Sequence, residues 1–179
     1  MKTTRKGFTL IELIVVIAII GVLAMILVPS MLGYVRKSKV STANSAAASV
    51  QKALNTSLIE FDEEGVDISN VSKIAKPAGG ALTADGGLKV ADLEAKLMQY
   101  MDDYKRSAFA FESRITGGVC DAVAATADGI YPGTYPSGVV TADNVQKTYQ
   151  SGNKANIAKA LTDAAAKADK NKGKTATTT

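Results

Sequence analysis

The 179-residue sequence predicts an α+β fold, a long N-terminal helix whose second half packs on a small antiparallel sheet, with one or two further helices. Three observations carry this. Leu13 to Val28 is an apolar run of 16 residues that gives way to an amphipathic stripe. Phe109 to Thr126 alternates around a Gly-Gly turn, and the C-terminal stretch from Asn156 is rich in Ala and Lys.

The first element starts with a short basic stretch, Met1 to Gly7, followed by Phe8 to Val28, F-T-L-I-E-L-I-V-V-I-A-I-I-G-V-L-A-M-I-L-V. Those 21 residues make a helix of roughly 31 Å at about 1.5 Å per residue, close to the thickness of a bilayer core. From Ser30 onward Val40, Ala43, Ala47, Val50, Ala53 or Leu54, and Leu58 recur at helical spacing, which predicts one buried face. The first half therefore needs lipid or other helices around it, and the second needs a domain on one side. A stop is expected at F-D-E-E-G, with Gly65 as the C-terminal cap.

Residues 66–87, including P-A-G-G-A-L-T-A-D-G-G, read as loop. A second helix is expected from Lys89 to Lys105, with Val90, Leu93, Leu97, Met98, Met101 and Tyr104 on one side. Phe109, Phe111, Ser113 and Ile115 then alternate, Gly117-Gly118 supplies a two-residue turn, and Val119 to Thr126 returns as the second strand of a hairpin. A turn and a short third strand are expected at residues 127–131. Y-P-G-T-Y-P follows at 131–136 and reads as a rigid exposed loop, in which Tyr131 and Tyr135 either form a stacking platform for sugar rings or simply lie on the sheet. A surface helix over 156–170 and a disordered tail, K-N-K-G-K-T-A-T-T-T, complete the chain. The implied segments are 1–7, a leader; 8–28, an apolar transmembrane helix; 29–60, its amphipathic continuation; 61–153, a globular head; and 154–179, the Lys/Ala-rich helix and tail.

Composition excludes several functions. Histidine is absent and Cys120 is the only cysteine, so His-dependent triads, Cys/His zinc sites, two-cysteine redox motifs and intrachain disulfides are unavailable. No constellation of carboxylates, Lys, Tyr or Ser suggests an enzyme. The net charge of +4 belongs to the two ends, leaving 12 basic against 15 acidic residues between Phe8 and Asn153, so nucleic acid is not the expected partner. The six lysines from Lys154 to Lys174 read as a solvated face, and Cys120 as a small buried hydrophobe. Asp85, Asp92, Asp128 and Asp143 are scattered, so no metal or other cofactor is expected.

The N-terminus admits three readings: a secretory signal, a plain membrane anchor, or a segment cut between Gly7 and Phe8 that keeps its apolar block. A long apolar block containing Glu12 and lacking an A-x-A pattern disfavours the signal. Basic residues on both sides (Lys2, Arg5 and Lys6; Arg36, Lys37 and Lys39) orient an anchor poorly. A carboxylate at a bilayer centre costs about 2.5–3.5 kcal/mol and usually has a partner or a function. A cut after Gly7 would create an amine at Phe8, about one helical turn from Glu12, for which the Glu12 of a staggered neighbour is a natural counterion. Equally, Glu12 could snorkel at the membrane surface.

R-K-G-F-T-L-I-E-L-I-V-V-I-A-I-I-G-V-L-A resembles the processing and assembly segment of type IV pilins, and the similarity runs from Lys6 to about Val40. The resemblance implies cleavage after Gly7 and N-methylation of Phe8 by a prepilin peptidase, with Glu12 registering the next subunit against the Phe8 amine. It implies that Gly21 to Pro29 melts when the helix enters a filament. It implies copies of the chain, an assembly machinery and, before assembly, the cytoplasmic membrane as partners, with a surface filament for adhesion or motility as the product. A pseudopilin of a type II secretion or DNA-uptake system shares the same start, and an adhesive pilin would touch a host or polysaccharide surface. Many pilins close a C-terminal loop with a disulfide; this chain cannot, and in that it is similar to the disulfide-poor pilins of Gram-positive anaerobes.

Overall fold

The computed structural model describes residues 8–175. The chain divides into two compact units between Arg36 and Lys37. Helix α1, Leu10–Glu63, contributes to both.

In the first unit the α1 side chains from Leu10 to Val35 have no core to enter. Leu10, Ile17, Val22, Met25 and Ile26 are more than half exposed, as are Met31 and Tyr34 further on. The segment is long and apolar enough to cross a membrane. Burying a large aliphatic side chain gains about 1.5–3 kcal/mol, so a row of exposed ones marks a surface meant for lipid or for other helices.

In the second unit the expected stripe on α1 is buried: Val40, Ala43, Ala47, Val50, Ala53, Leu54 and Leu58, joined by Ser57 and Phe61. It packs on a five-stranded antiparallel sheet of order β2-β1-β3-β4-β5, made of Lys73–Lys76 (β1), Thr83–Ala84 (β2), Ala110–Thr116 (β3), Val119–Thr126 (β4) and Pro132–Tyr135 (β5). Phe111 and Ile115 of β3, and Val123 and Ala125 of β4, share one cluster with Val50, Leu54 and Leu58. The alternate β4 residues Ala122 and Ala124 pack instead with Ala164, Ala168 and Ala160 of helix α4, Ile157–Thr175. Covered on both faces, β4 is buried almost throughout, which is why it reads C-D-A-V-A-A-T rather than as a clean alternation.

Helix α1 ends as the sequence indicates. Gly65 takes φ 78°, its N–H donates to Asp62 O at 3.0 Å, and Val66 N–H donates to Phe61 O at 2.9 Å. This pair of bonds is a Schellman cap, and Val66 packs against the same core as Phe61. Gly117 and Gly118, at φ 59° and 76°, form the two-residue turn between β3 and β4. Both elements match expectation, as does the burial of Leu93, Leu97, Met101 and Tyr104, whereas Met98 of the expected face is 40% exposed and Val90 only partly buried.

Four expectations need correction. Residues 66–87 are not all loop, since β1 and β2 form a hairpin there. K-I-A-K is too short to register as a strand by itself; its main partner is β3, with Ile74 opposite Ser113. The second helix, α2, is Val90–Tyr100 only, because Met101 adopts φ −138° and ψ 102° before a 3-10 turn over Asp102–Lys105. That break turns Tyr104 inward, where its hydroxyl donates to Glu94 Oε1 at 2.9 Å. The third strand is not at 127–131 but is P-G-T-Y, β5, inside the segment expected as a loop. Finally, α4 is not merely a surface helix ending at Lys170: Ala160, Ala164 and Ala168 are buried and the helix reaches Thr175. Short helix α3, Val145–Thr148, and the β6-β7 ribbon, Gln150–Ser151 and Lys154–Ala155, lead into it.

Candidate functional site

The candidate site is the start of α1. Gly7, the predicted cleavage position, lies outside the described residues. Phe8 precedes the helix and is 79% exposed. Thr9 is the N-cap, and Glu12 is three residues on. The Thr9 N–H donates to Glu12 Oε2 at 2.8 Å, the Thr9 hydroxyl donates to the same oxygen at 2.6 Å, and Glu12 N–H donates back to Thr9 Oγ1 at 3.4 Å. This is a capping box: two otherwise unpaired backbone donors at the helix start are satisfied reciprocally. The carboxylate also sits at the positive end of the helix dipole. Sequence reasoning singled out Glu12 but missed Thr9, although T-x-x-E ahead of an apolar run is the signature that could have found it.

The box has two consequences for chemistry. It ends the helix at Leu10, so the residue 8 nitrogen stays outside the helical hydrogen-bond ladder. It also occupies Glu12 Oε2 within its own chain, so the carboxylate has a fixed direction in a single subunit.

Further along, α1 remains helical through Gly21, Pro29 and Gly33. Pro29 lacks the N–H that would bond to the Met25 carbonyl, a local weakness worth about 3 kcal/mol in a helix interior. The next residue, Ser30, donates through its Oγ to Leu27 O at 2.9 Å. A Cβ on Gly21 or Gly33 would meet nothing within 4 Å, so neither glycine is required by packing within this chain.

The structure does not bring Tyr131 and Tyr135 together as an exposed platform. Both are half-buried. Tyr131 packs beside Val140, Tyr149 and Ala124, while Tyr135 lies against the main core. Between them Gly133 runs so close to α1 that a Cβ would lie 2.0 Å from the Ala43 carbonyl carbon, and Thr134 N–H donates to Asn44 Oδ1 at 2.8 Å. The P-G-T-Y strand is thus locked on α1.

Cys120 is fully buried, and burial pushes its thiol up to about 12, which leaves little nucleophilic thiolate. It is the small buried hydrophobe expected. Asp85 and Asp128, weighed above as scattered acids, serve the backbone. Asp85 accepts from Ser72 N–H and Lys73 N–H, and Asp128 from Ile130 and Tyr131 N–H. Several lysines of the last segment have partners rather than only solvent: Lys159 with Asp163, Lys167 with Ser137 O, and Lys172 with Asp121.

The candidate site is thus a capped helix start, apolar apart from Thr9 and Glu12, on a helix that continues into a small α+β unit. Residues 2–28 match the prokaryotic N-terminal methylation motif. Over 101 residues the chain is 41% identical to the type IV major fimbrial protein FimA of Dichelobacter nodosus, covering 50% of this chain and 64% of that protein. It is 47% identical over 55 residues to the fimbrial protein EcpC of Eikenella corrodens, covering 31% and 36% of the two chains, and 41% identical over 59 residues to a fimbrial protein of Pseudomonas aeruginosa, covering 33% and 38%. The chain thus spans less than two thirds of the length of these curated relatives. No solved structure matches. The aligned part of the chain is similar to type IV fimbrial proteins, and its start matches a prokaryotic N-terminal methylation motif.

Proposed function

We propose that the chain is a structural subunit of a type IV pilus, cleaved between Gly7 and Phe8, N-methylated at Phe8 and polymerised through α1 into a surface filament for adhesion or motility. The observation that carries this reading is the methylation motif over residues 2–28 on a helix whose apolar side chains are exposed on all sides. The mechanism is assembly rather than catalysis. A bilayer holds the apolar segment of the precursor, and in a filament equivalent helices of other copies replace the lipid. A prepilin peptidase and an assembly machinery are the partners this requires. FimA and the other relatives are named as fimbrial proteins, which supports the same reading.

In this scheme the Phe8 amine freed by cleavage is a cation in apolar surroundings, and the Glu12 carboxylate of a neighbouring copy is its counterion. Thr9 keeps that carboxylate aimed while the subunit waits. Gly21 and Pro29 supply the stretch of α1 that gives way when the helices crowd together.

Mass spectrometry of the N-terminal peptide from the native cell tests the pathway. The expected mature start is N-methyl-Phe8; a start at Met1 or beyond Pro29 overturns it. For Glu12→Ala, the expected result is a normally cleaved chain and no filaments in shear preparations. Normal filaments from that variant would remove Glu12 from the mechanism.

A further inference from the structure

The second unit holds a cleft along α1 that assembly through the N-terminal segment does not use. One hollow, of about 390 Å³, lies between Ser45 of α1 and the Tyr100–Arg106 segment; an adjoining one, of about 320 Å³, lies between Thr42 of α1 and Asp128–Tyr131. Thr42, Arg106 and Ala127 wall both, and each volume falls in the range of small-molecule sites.

The chemistry of the walls restricts the ligand. Arg106 Nε lies 3.0 Å from Asp103 Oδ1, and Lys39 Nζ lies 3.5 Å from Asp128 Oδ2, so the cations are paired within the cleft. The walls carry too little net charge to select an anion, a nucleic acid or a polyamine. An apolar ligand would strip water from these ions without replacing its hydrogen bonds. A guanidinium beside a carboxylate instead presents donors next to acceptors, the pattern that adjacent hydroxyl groups match because each can donate and accept. The α1 wall adds hydroxyls of its own. At the two ends stand Tyr100, 44% exposed and held by its hydroxyl to Glu60, and half-buried Tyr131.

The geometry points to this cleft as a binding site for a short neutral oligosaccharide, with Arg106 and Asp103 bonding its hydroxyls and Tyr100 and Tyr131 bounding it. Tyr135, on the far side of Gly133 and packed on the main core, takes no part. The cleft requires neither cleavage at Gly7 nor polymerisation, so loss of sugar binding and loss of the pilus reading are separate outcomes.

The test is saturation-transfer NMR on the full chain in phospholipid nanodiscs, free of glycoside detergents, with cellobiose, maltose and N,N′-diacetylchitobiose as probes. Transfer to the ring protons of at least one sugar is expected. Arg106→Ala and Asp103→Asn alter side chains that are 66% and 43% exposed, so the fold is retained. Each variant should weaken binding about tenfold, the effect of losing one hydrogen bond to a charged group. Tyr135→Phe should bind as the parent does. Transfer to none of the three sugars, or transfer unchanged in both cleft variants, overturns the proposal.

Discussion

Arg114 shows how much one side chain can do in the second unit. Its Nε and Nη2 donate to Asp121 at 2.9 and 3.0 Å, and its Nη1 and Nη2 donate to Asp169 of α4 at 3.0 and 2.7 Å. Lys172 of the same helix reaches Asp121 at 2.6 Å. Burial alone would push the Asp121 carboxyl up, but the Arg114 fork and Lys172 outweigh it and hold it below its ordinary value of 3.8. Asp169 is held low by Arg114 in the same way. A carboxylate with a lowered folded value contributes stability that is fully present above its unfolded value and disappears as pH falls through the folded one. Thermal stability should therefore lose the contribution of this network below about pH 4. Asp121→Asn should cost about 1.5–3 kcal/mol at pH 7 and flatten the acid limb of a melting-temperature profile, because its hydrogen bonds to charged groups go. An acid limb identical in parent and variant would mean that the fork does not secure α4.

At the scale of elements, the closest fit is between β5 and α1. All three nearest atoms to a Cβ built at Gly133 belong to the backbone of Ala43 and Asn44, within 2.3 Å, and a helix backbone cannot yield as a flexible side chain can. Gly133→Ala should destabilise by more than about 3 kcal/mol, measured as a large fall in melting temperature, since overpacking of this kind exceeds the usual range. Leu54→Ala, at a fully buried position, should cost about 2–5 kcal/mol by leaving a cavity. Both sites bear on what could be read beforehand. The α1 stripe, its Gly65 stop and the β3-β4 hairpin were legible because each is decided by neighbours within a few residues. K-I-A-K and P-G-T-Y were not, because their strand character comes from β3, β4 and α1, elements far away in sequence. The break at Met101 followed the same rule: the helical period runs on past it, and the pull of Tyr104 into the core decides otherwise. At the candidate site Phe8 and Glu12 stood out by chemistry, whereas Thr9 was hidden by its ordinariness.

For the whole molecule, the proposed function raises the question of how one helix would serve both in lipid and in a filament. In the single chain α1 is helical across Gly21 and Pro29, and a Cβ on Gly21 would meet nothing within 4 Å. A glycine costs a helix interior about 1 kcal/mol and a proline about 3 kcal/mol relative to alanine. The pair therefore lowers the cost of unwinding this stretch without preventing a helix where apolar surroundings make every open backbone group expensive. In the proposed filament the same stretch would have neighbours whose polar groups and trapped water could take up what unwinding releases. Gly21→Ala combined with Pro29→Ala should leave cleavage and membrane insertion unchanged while raising the cost of unwinding by about 4 kcal/mol. Hydrogen exchange on assembled filaments measures the outcome. Amides between residues 21 and 29 should exchange rapidly in the parent and slowly in the double variant, with fewer or shorter filaments formed. Slow exchange in the parent would show that α1 enters the filament as the unbroken helix it is in the single chain, and would leave Pro29 with no part in assembly.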